Sequence, residues 1–141
     1  MTKARLRAYK HIRQERDDLK KLLDDLDEVI YGPGGQRLDG MPRSGSAGQS
    51  QTERQGDRHM ALHEKYERKV ADLTRQMAEI EEAIETLLPL ERSIIRLHYF
   101  QGLTWDEVAE RVNYSRRQVT RLHGWVLIKL QREGEDKEKC D

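Results

Sequence analysis

The spacing of apolar residues in two long segments constrains the fold more than any other feature of the sequence. Both segments place apolar side chains alternately three and four residues apart, which predicts long helices packed as in a coiled coil, at about residues 3–30 and 52–87. The first seam consists of Tyr9, Ile12, Arg16, Leu19, Leu23, Leu26 and Ile30, of which Arg16 is charged. The second seam consists of His63, Tyr66, Val70, Leu73, Met77, Ile80, Ile84 and Leu87.

Residues 31–51 between these helices are predicted to form a flexible linker. Seven of the ten glycines and two of the three prolines lie between Gly32 and Gly56, and such a segment buries too little apolar surface to offset its ordering entropy. A P-loop is disfavoured because the Gly-Lys-Ser/Thr ending and a preceding strand are missing. Capping-box pairs, Ser50 with Glu53 and Thr52 with Gln55, mark the start of the second helix.

The two long helices are expected to form an antiparallel hairpin within one chain, since that needs the shorter linker span. The basic start of the first helix would then lie beside the acidic end of the second, which is an attractive arrangement. Pairing of the helices between two chains, as in a homodimer, remains open.

Composition excludes several classes of protein. Charged residues make up 37% of the chain, but Lys plus Arg (26) equals Asp plus Glu (26), so net charge indicates no partner. No apolar run could span a membrane and no signal peptide is evident, which predicts a soluble cytoplasmic protein. The single cysteine, Cys140, excludes an internal disulfide and a cysteine-based zinc site. No cofactor site, metal set or catalytic constellation stands out, so we expect no enzyme.

The C-terminal third has the pattern of a helix-turn-helix at residues 89–132. Pro89 fits the first turn of a helix. Capping boxes at Thr104–Glu107 and Ser115–Gln118 begin two further helices, and Asn113 between them tolerates a left-handed turn. The fold class is therefore all-α, with a helical arm at 1–88, a helix-turn-helix at 89–132 whose last helix spans 115–130, and a frayed charged tail at 133–141.

This segment resembles the fourth-region DNA-binding domain of bacterial sigma factors. The residues that carry the resemblance are Glu91–Tyr99, Gly102–Thr104, Glu107–Val112 and Ser115–Val119. More loosely, the whole chain, with its Gly40–Arg43 linker sequence, resembles the sigma-like transcriptional regulators of bacteriophages and prophages of the ArpU and RinA kind. The resemblance implies a sequence-specific regulator near the nucleoid of a bacterial host, with RNA polymerase as a further partner. Asn113 departs from the Gly more usual in such turns.

The charge distribution independently favours double-stranded DNA as the partner. Val112–Arg132 contains five basic residues and no acidic one. The first turns of a recognition helix enter the major groove, and Arg and Gln can pair with guanine and adenine. Thr104, at a helix N-terminus, could hold a phosphate through backbone N–H groups. The candidate DNA-binding residues are Thr104, Ser115, Arg116, Arg117, Gln118, Thr120 and Arg121.

Two alternative functions combine the same elements. A DNA-packaging subunit such as a small terminase also joins a helix-turn-helix to oligomerising helices, and a structural adaptor would use the motif for protein contact only. His59 and His63 have the i, i+4 spacing of a metal pair but no evident third ligand, so we interpret them as seam or surface residues. Trp105 and Trp125 neighbour apolar helix sides and are interpreted as packing residues.

Overall fold

A computed structural model describes residues 1–32 and 50–140, apart from the side chains of residues 137 and 138. This part of the chain contains five α-helices and no strand, which confirms the all-α class. They are α1 (Lys3–Tyr31), α2 (Gln51–Glu85), α3 (Pro89–Ile95), α4 (Trp105–Val112) and α5 (Arg116–Cys140), and α3 continues as a π-helical turn at Arg96–Phe100. Most of the predicted linker, including Gly40–Arg43, lies outside the described residues.

Local capping explains where the helices begin. Ser50 Oγ accepts from the Glu53 backbone N–H at 3.2 Å and the Ser50 N–H donates to Glu53 Oε2 at 3.0 Å. Of the two overlapping capping boxes, this one therefore starts α2, one residue before the predicted position. Pro89 occupies the first turn of α3, as predicted, where its missing N–H costs nothing.

The chain divides into two compact units, of which the first joins residues 1–14 to residues 73–141. This division differs from the predicted boundary at residue 88, because the beginning of α1 and the end of α2 share a core with the C-terminal helices. The buried residues of this shared core form one hydrophobic cluster, which consists of Leu6, Tyr9, Met77, Ile80, Ile84, Leu87, Ile95, Tyr99, Val126 and Leu130. Leu6 lies outside the predicted seam, yet it is fully buried.

A second buried cluster in the same unit fixes the relation of α4 to α5. Its members are Ile94, Leu97, Val108, Ala109 and Val119, with Leu90, Leu103, Trp105, Val112 and Leu122 packed around them. The π-helical turn at Arg96–Phe100 lies between the two clusters, because Leu97 belongs to one and Tyr99 to the other. The continuous helix from Pro89 to Phe100 is thus apolar on two sides.

The second unit spans residues 15–72 and is held by contacts between α1 and α2. Asp27 Oδ1 lies 2.7 Å from His63 Nε2, and Glu15 Oε1 lies 3.7 Å from Lys69 Nζ. Arg16, the charged seam residue, keeps only 19% of its side chain exposed and donates two hydrogen bonds to Asp17 Oδ1. A cation at this seam position is tolerated because its guanidinium is paired.

The charged C-terminal segment differs from its prediction. α5 continues without interruption to Cys140, whereas the sequence predicts a frayed tail from residue 133. Glu133, at the start of this segment, contacts a residue from another part of the chain, because its Oε2 accepts a hydrogen bond from the Thr86 hydroxyl at 2.7 Å. None of the described helices is long and apolar enough to cross a bilayer.

Candidate nucleic-acid interface

The connection between α4 and α5 is built from the residues that the sequence singled out. Asn113 ends α4 in the left-handed conformation (φ 59°, ψ 41°), and its N–H donates to the carbonyls of Ala109 and Glu110. The Tyr114 N–H donates to the Ala109 carbonyl at 3.1 Å. These bonds satisfy carbonyls that the end of a helix would leave without partners, and they make the turn short.

The buried side of α5 determines which of its residues face solvent. Val119, Val126 and Leu130 are buried. The opposite side therefore points outward, and its members Arg117, Thr120, Arg121 and Gly124 are exposed, as is Arg116 at the start of the helix. No atom comes within 4 Å of the position that a Cβ on Gly124 would take. This outward side of α5 is open to a large ligand over more than two helical turns.

The candidate residues on this side differ in how far their polar groups are already engaged. Arg116 Nη1 lies 3.3 Å from Asp106 Oδ2, in a pair that is well exposed. The Thr120 hydroxyl lies within hydrogen-bond distance of the Arg116 and Arg117 carbonyls. Arg117 and Arg121 make no hydrogen bond or ion pair with the described residues, and their guanidinium groups are the most available donors of the set.

Ser115 and Gln118 form a capping box, as predicted. The Gln118 N–H donates to Ser115 Oγ at 3.2 Å, and Gln118 Oε1 accepts from the Ser115 N–H and hydroxyl at 3.0 Å each. The Gln118 carbonyl is thus committed to the start of α5, and only its amide NH₂ could reach a ligand. A bidentate contact of Gln118 with adenine would require breaking this cap.

Thr104 has a similar capping role at the start of α4. Its hydroxyl accepts from the Glu107 N–H at 3.4 Å, while Glu107 Oε2 accepts from the Thr104 N–H at 2.7 Å. These hydrogen bonds from the Thr104 backbone and side chain hold the pKa of the Glu107 carboxyl below its ordinary value. A carboxylate therefore already occupies the Thr104 N–H that the phosphate prediction used, and any phosphate here would have to displace it.

A cluster of aromatic rings behind α5 was not predicted from the sequence. Tyr99 Oη lies 2.8 Å from His123 Nε2, and the rings of His98 and Trp105 stack with centroids 3.8 Å apart. Burial, followed by the charges of Lys3, His98 and Arg7, lowers the pKa of His123 to about 4. The signal in the sequence was the spacing of Val119, His123, Val126 and Leu130, which puts this histidine on the inward side.

The loop before α4 is fixed by the same cluster. His98 Nδ1 lies 2.8 Å from the Leu103 carbonyl, and the Leu103 N–H donates to the Leu97 carbonyl at 3.0 Å. Gly102 adopts φ 76°, a left-handed conformation that favours glycine over residues with a Cβ. The loop therefore has a defined path between the π-helical turn and Thr104.

The two tryptophans have different environments. Trp105 packs on His98 and lies 4.5 Å, centroid to centroid, from His123, which confirms its interpretation as a packing residue. For Trp125 that interpretation is wrong, because 63% of the residue is exposed. Trp125 lies on the exposed side of α5 together with Ile128, of which 47% is exposed.

A protein-family profile matches most of the chain. The profile described as "Protein of unknown function (DUF722)" covers residues 19–132, which is 114 of the 141 residues. The chain belongs to the DUF722 family. The residues that match the DUF722 profile include α4, the Asn113 turn and the exposed side of α5. Neither the curated proteins nor the solved structures contain a match to the chain.

Proposed function

We propose that the chain is a sequence-specific DNA-binding transcriptional regulator of the phage or prophage type. In this proposal α4, the Asn113 turn and the first half of α5 form a sigma-like helix-turn-helix. The N-terminal half of α5 is its recognition helix and enters the major groove. The sequence resemblance to sigma factors and to the ArpU and RinA regulators supports this assignment, and it implies a location at the nucleoid of a bacterial host.

The observation that carries the proposal is a pair of exposed arginines on the outward side of α5 that no acidic residue in the described part of the chain neutralises. Arg117 and Arg121 are one helical turn apart, exposed, and without an ion pair among the described residues. Arginine is the residue best suited to bidentate contact with guanine and phosphate. Val119, between them in sequence, is fully buried in the cluster with α4 and so supports the orientation of both.

The long helices are proposed to form an antiparallel hairpin within one chain. Supporting contacts occur in both compact units: Arg5 Nη2 lies 2.6 Å from Glu79 Oε2 in the first, and Asp27 lies against His63 in the second. The first pair joins the start of α1 to the later part of α2, and the second joins the end of α1 to the earlier part of α2. This pattern requires the two helices to run in opposite directions. The Arg5–Glu79 pair is the attraction expected between the basic start of one helix and the acidic end of the other.

A second protein surface is part of the proposal. One helix-turn-helix buries only about 600–1,000 Å² of protein surface on DNA, so tight specific binding needs an additional contact. The exposed side chains of Trp125 and Ile128, which follow the candidate DNA-binding residues along α5, support contact with another protein. RNA polymerase, or a second copy of the chain giving paired half-sites, would supply that contact.

The test is neutralisation of the two unpaired arginines. The double variant Arg117→Ala, Arg121→Ala should weaken binding to a duplex selected from a random pool by about a hundredfold, because both charge and base contacts are lost. The slope of log affinity against log salt should flatten by up to about 2. Fluorescence anisotropy at several salt concentrations measures both quantities.

The matched control removes the same charge elsewhere. Arg54→Ala with Arg58→Ala neutralises two exposed arginines of α2 in the second unit and should leave binding within about twofold, since these side chains lie outside the proposed surface. Equal binding by wild type and the Arg117/Arg121 variant would refute the assignment. The mass of the complex from light scattering separates the alternatives, because a ring of many chains would favour the DNA-packaging function over a regulator.

A further inference from the structure

The first three turns of α1 present a second line of positive charge in the first unit. Lys3, Arg7 and Lys10 follow one another at spacings of four and three residues, which places them on one side of the helix. All three are exposed, whereas Leu6 and Tyr9 on the adjoining side of the helix are buried. The core contacts of Leu6 and Tyr9 therefore fix the direction in which the basic residues point.

This basic stripe of α1 (Lys3, Arg7 and Lys10) borders the proposed DNA-binding elements. Lys10 Nζ lies 3.1 Å from the position that a Cβ on Gly102 would take, so its ammonium sits at the loop that leads into Thr104. Lys3 and Arg7 lie close enough to His123 for their charges to disfavour its protonation. His123 lies on the inward side of the middle of α5, so the stripe lies beside the loop that leads into α4 and beside the middle of α5.

The stripe is not neutralised by the protein. Lys3, Arg7 and Lys10 make no ion pair with any residue that the structure describes, while Arg5 on another side of the same helix is paired with Glu79. Like charges four residues apart on a helix repel each other and destabilise it slightly. Three aligned cations without acidic partners are therefore an arrangement that an external polyanion would relieve.

We propose that Lys3, Arg7 and Lys10 bind the phosphate backbone of the same DNA duplex that α5 reads, outside the helix-turn-helix. This inference rests on the proposed function. Lysine and arginine contacts to phosphate add affinity without sequence information and make binding more dependent on salt. The stripe supplies part of the contact that a single recognition helix lacks, and it couples the fold of the long helices directly to DNA binding.

The experiment neutralises the stripe in the full chain. The triple variant Lys3→Gln, Arg7→Gln, Lys10→Gln should lower affinity for a 40-base-pair duplex about tenfold. The loss should be the same for a random and a selected sequence. The salt slope should flatten by about 2 to 3, close to the value for three lost phosphate contacts. The charge-conserving variant Lys3→Arg, Arg7→Lys, Lys10→Arg should restore both quantities.

A matched control and the Arg117/Arg121 variant make the outcome decisive. Arg54→Gln, Arg58→Gln and Lys65→Gln remove the same charge from exposed positions of α2 and should leave the salt slope unchanged. If the stripe variant keeps wild-type affinity and slope while the Arg117/Arg121 variant loses binding, the inference is overturned and the proposed function stands. If the wild-type chain binds no duplex at low salt, both fail. If the stripe variant loses affinity for the selected sequence only, the inference is also overturned, because phosphate contacts are not sequence-specific.

Discussion

Replacing Ile84 with alanine is expected to lower the free energy of unfolding by about 3–5 kcal/mol, the range for a large buried aliphatic side chain whose removal leaves a cavity. Ile84 has no exposed surface, and it belongs to the cluster that joins α1, α2 and α5. Domains of this size have a total stability of about 5–15 kcal/mol. The variant should therefore lose a large fraction of its stability, which urea denaturation followed by circular dichroism measures.

Two further variants make this result interpretable. Ile84→Val removes one methyl group and should cost only about 1 kcal/mol, so its value can be measured even if the alanine variant does not fold. Ile128→Ala makes the same chemical change at a position that is 47% exposed and should change stability by less than about 0.5 kcal/mol. Equal costs at positions 84 and 128 would contradict a core that unites the long helices with the C-terminal segment.

Acidification is expected to destabilise the first unit through His123. The pKa of this histidine is about 4 in the folded chain, below the ordinary value of 6.5, mainly because the ring is buried against Tyr99 and secondarily because Lys3, His98 and Arg7 lie nearby. Between pH 6.5 and 4 the unfolded state therefore binds more protons than the folded state. The contribution of the neutral His123 to the free energy of unfolding is therefore complete above pH 6.5. It is lost as the pH falls to about 4, and the loss is of the order of 3 kcal/mol.

The substitution His123→Gln isolates this contribution. Glutamine can still hydrogen-bond to the Tyr99 hydroxyl but does not titrate, so the stability of the variant should decline less than that of the wild type between pH 7.5 and 4.5. The matched control is His11→Gln, at an exposed histidine of the same unit, which should keep the wild-type pH dependence. Urea denaturation at a series of pH values measures the difference. If His123→Gln and wild type lose stability in parallel, the buried neutral histidine is refuted.

Local signals in the sequence predicted much of the secondary structure. The capping boxes at Ser50, Thr104 and Ser115 and the left-handed Asn113 all occur where expected, because each depends on hydrogen bonds between residues no more than four apart. The exposed side of α5 was equally predictable, since helical periodicity alone separates Val119 and Val126 from Arg117 and Arg121.

Features that depend on contacts between distant segments were not predicted. The π-helical turn at Arg96–Phe100 contributes residues to two separate clusters, and no local pattern in the sequence predicts it. His123 is a polar residue at an inward position, and only its partner Tyr99 explains its burial. The compact unit that joins residues 1–14 to the C-terminal third likewise depends on Leu6 meeting residues more than seventy positions away. The composition of the last residues indicated a frayed tail, but α5 continues to Cys140.

The most direct test of the account is to ask which part of α5 touches DNA. Thr120→Cys, on the outward side of the recognition half, and Glu135→Cys, about 22 Å further along the same helix, would each carry a photo-activated aryl azide. The exposed native Cys140 is first replaced by serine in both. With a duplex bound, the account predicts efficient cross-linking from position 120 and little from position 135. Equal cross-linking from both positions, or cross-linking from position 135 alone, would contradict it.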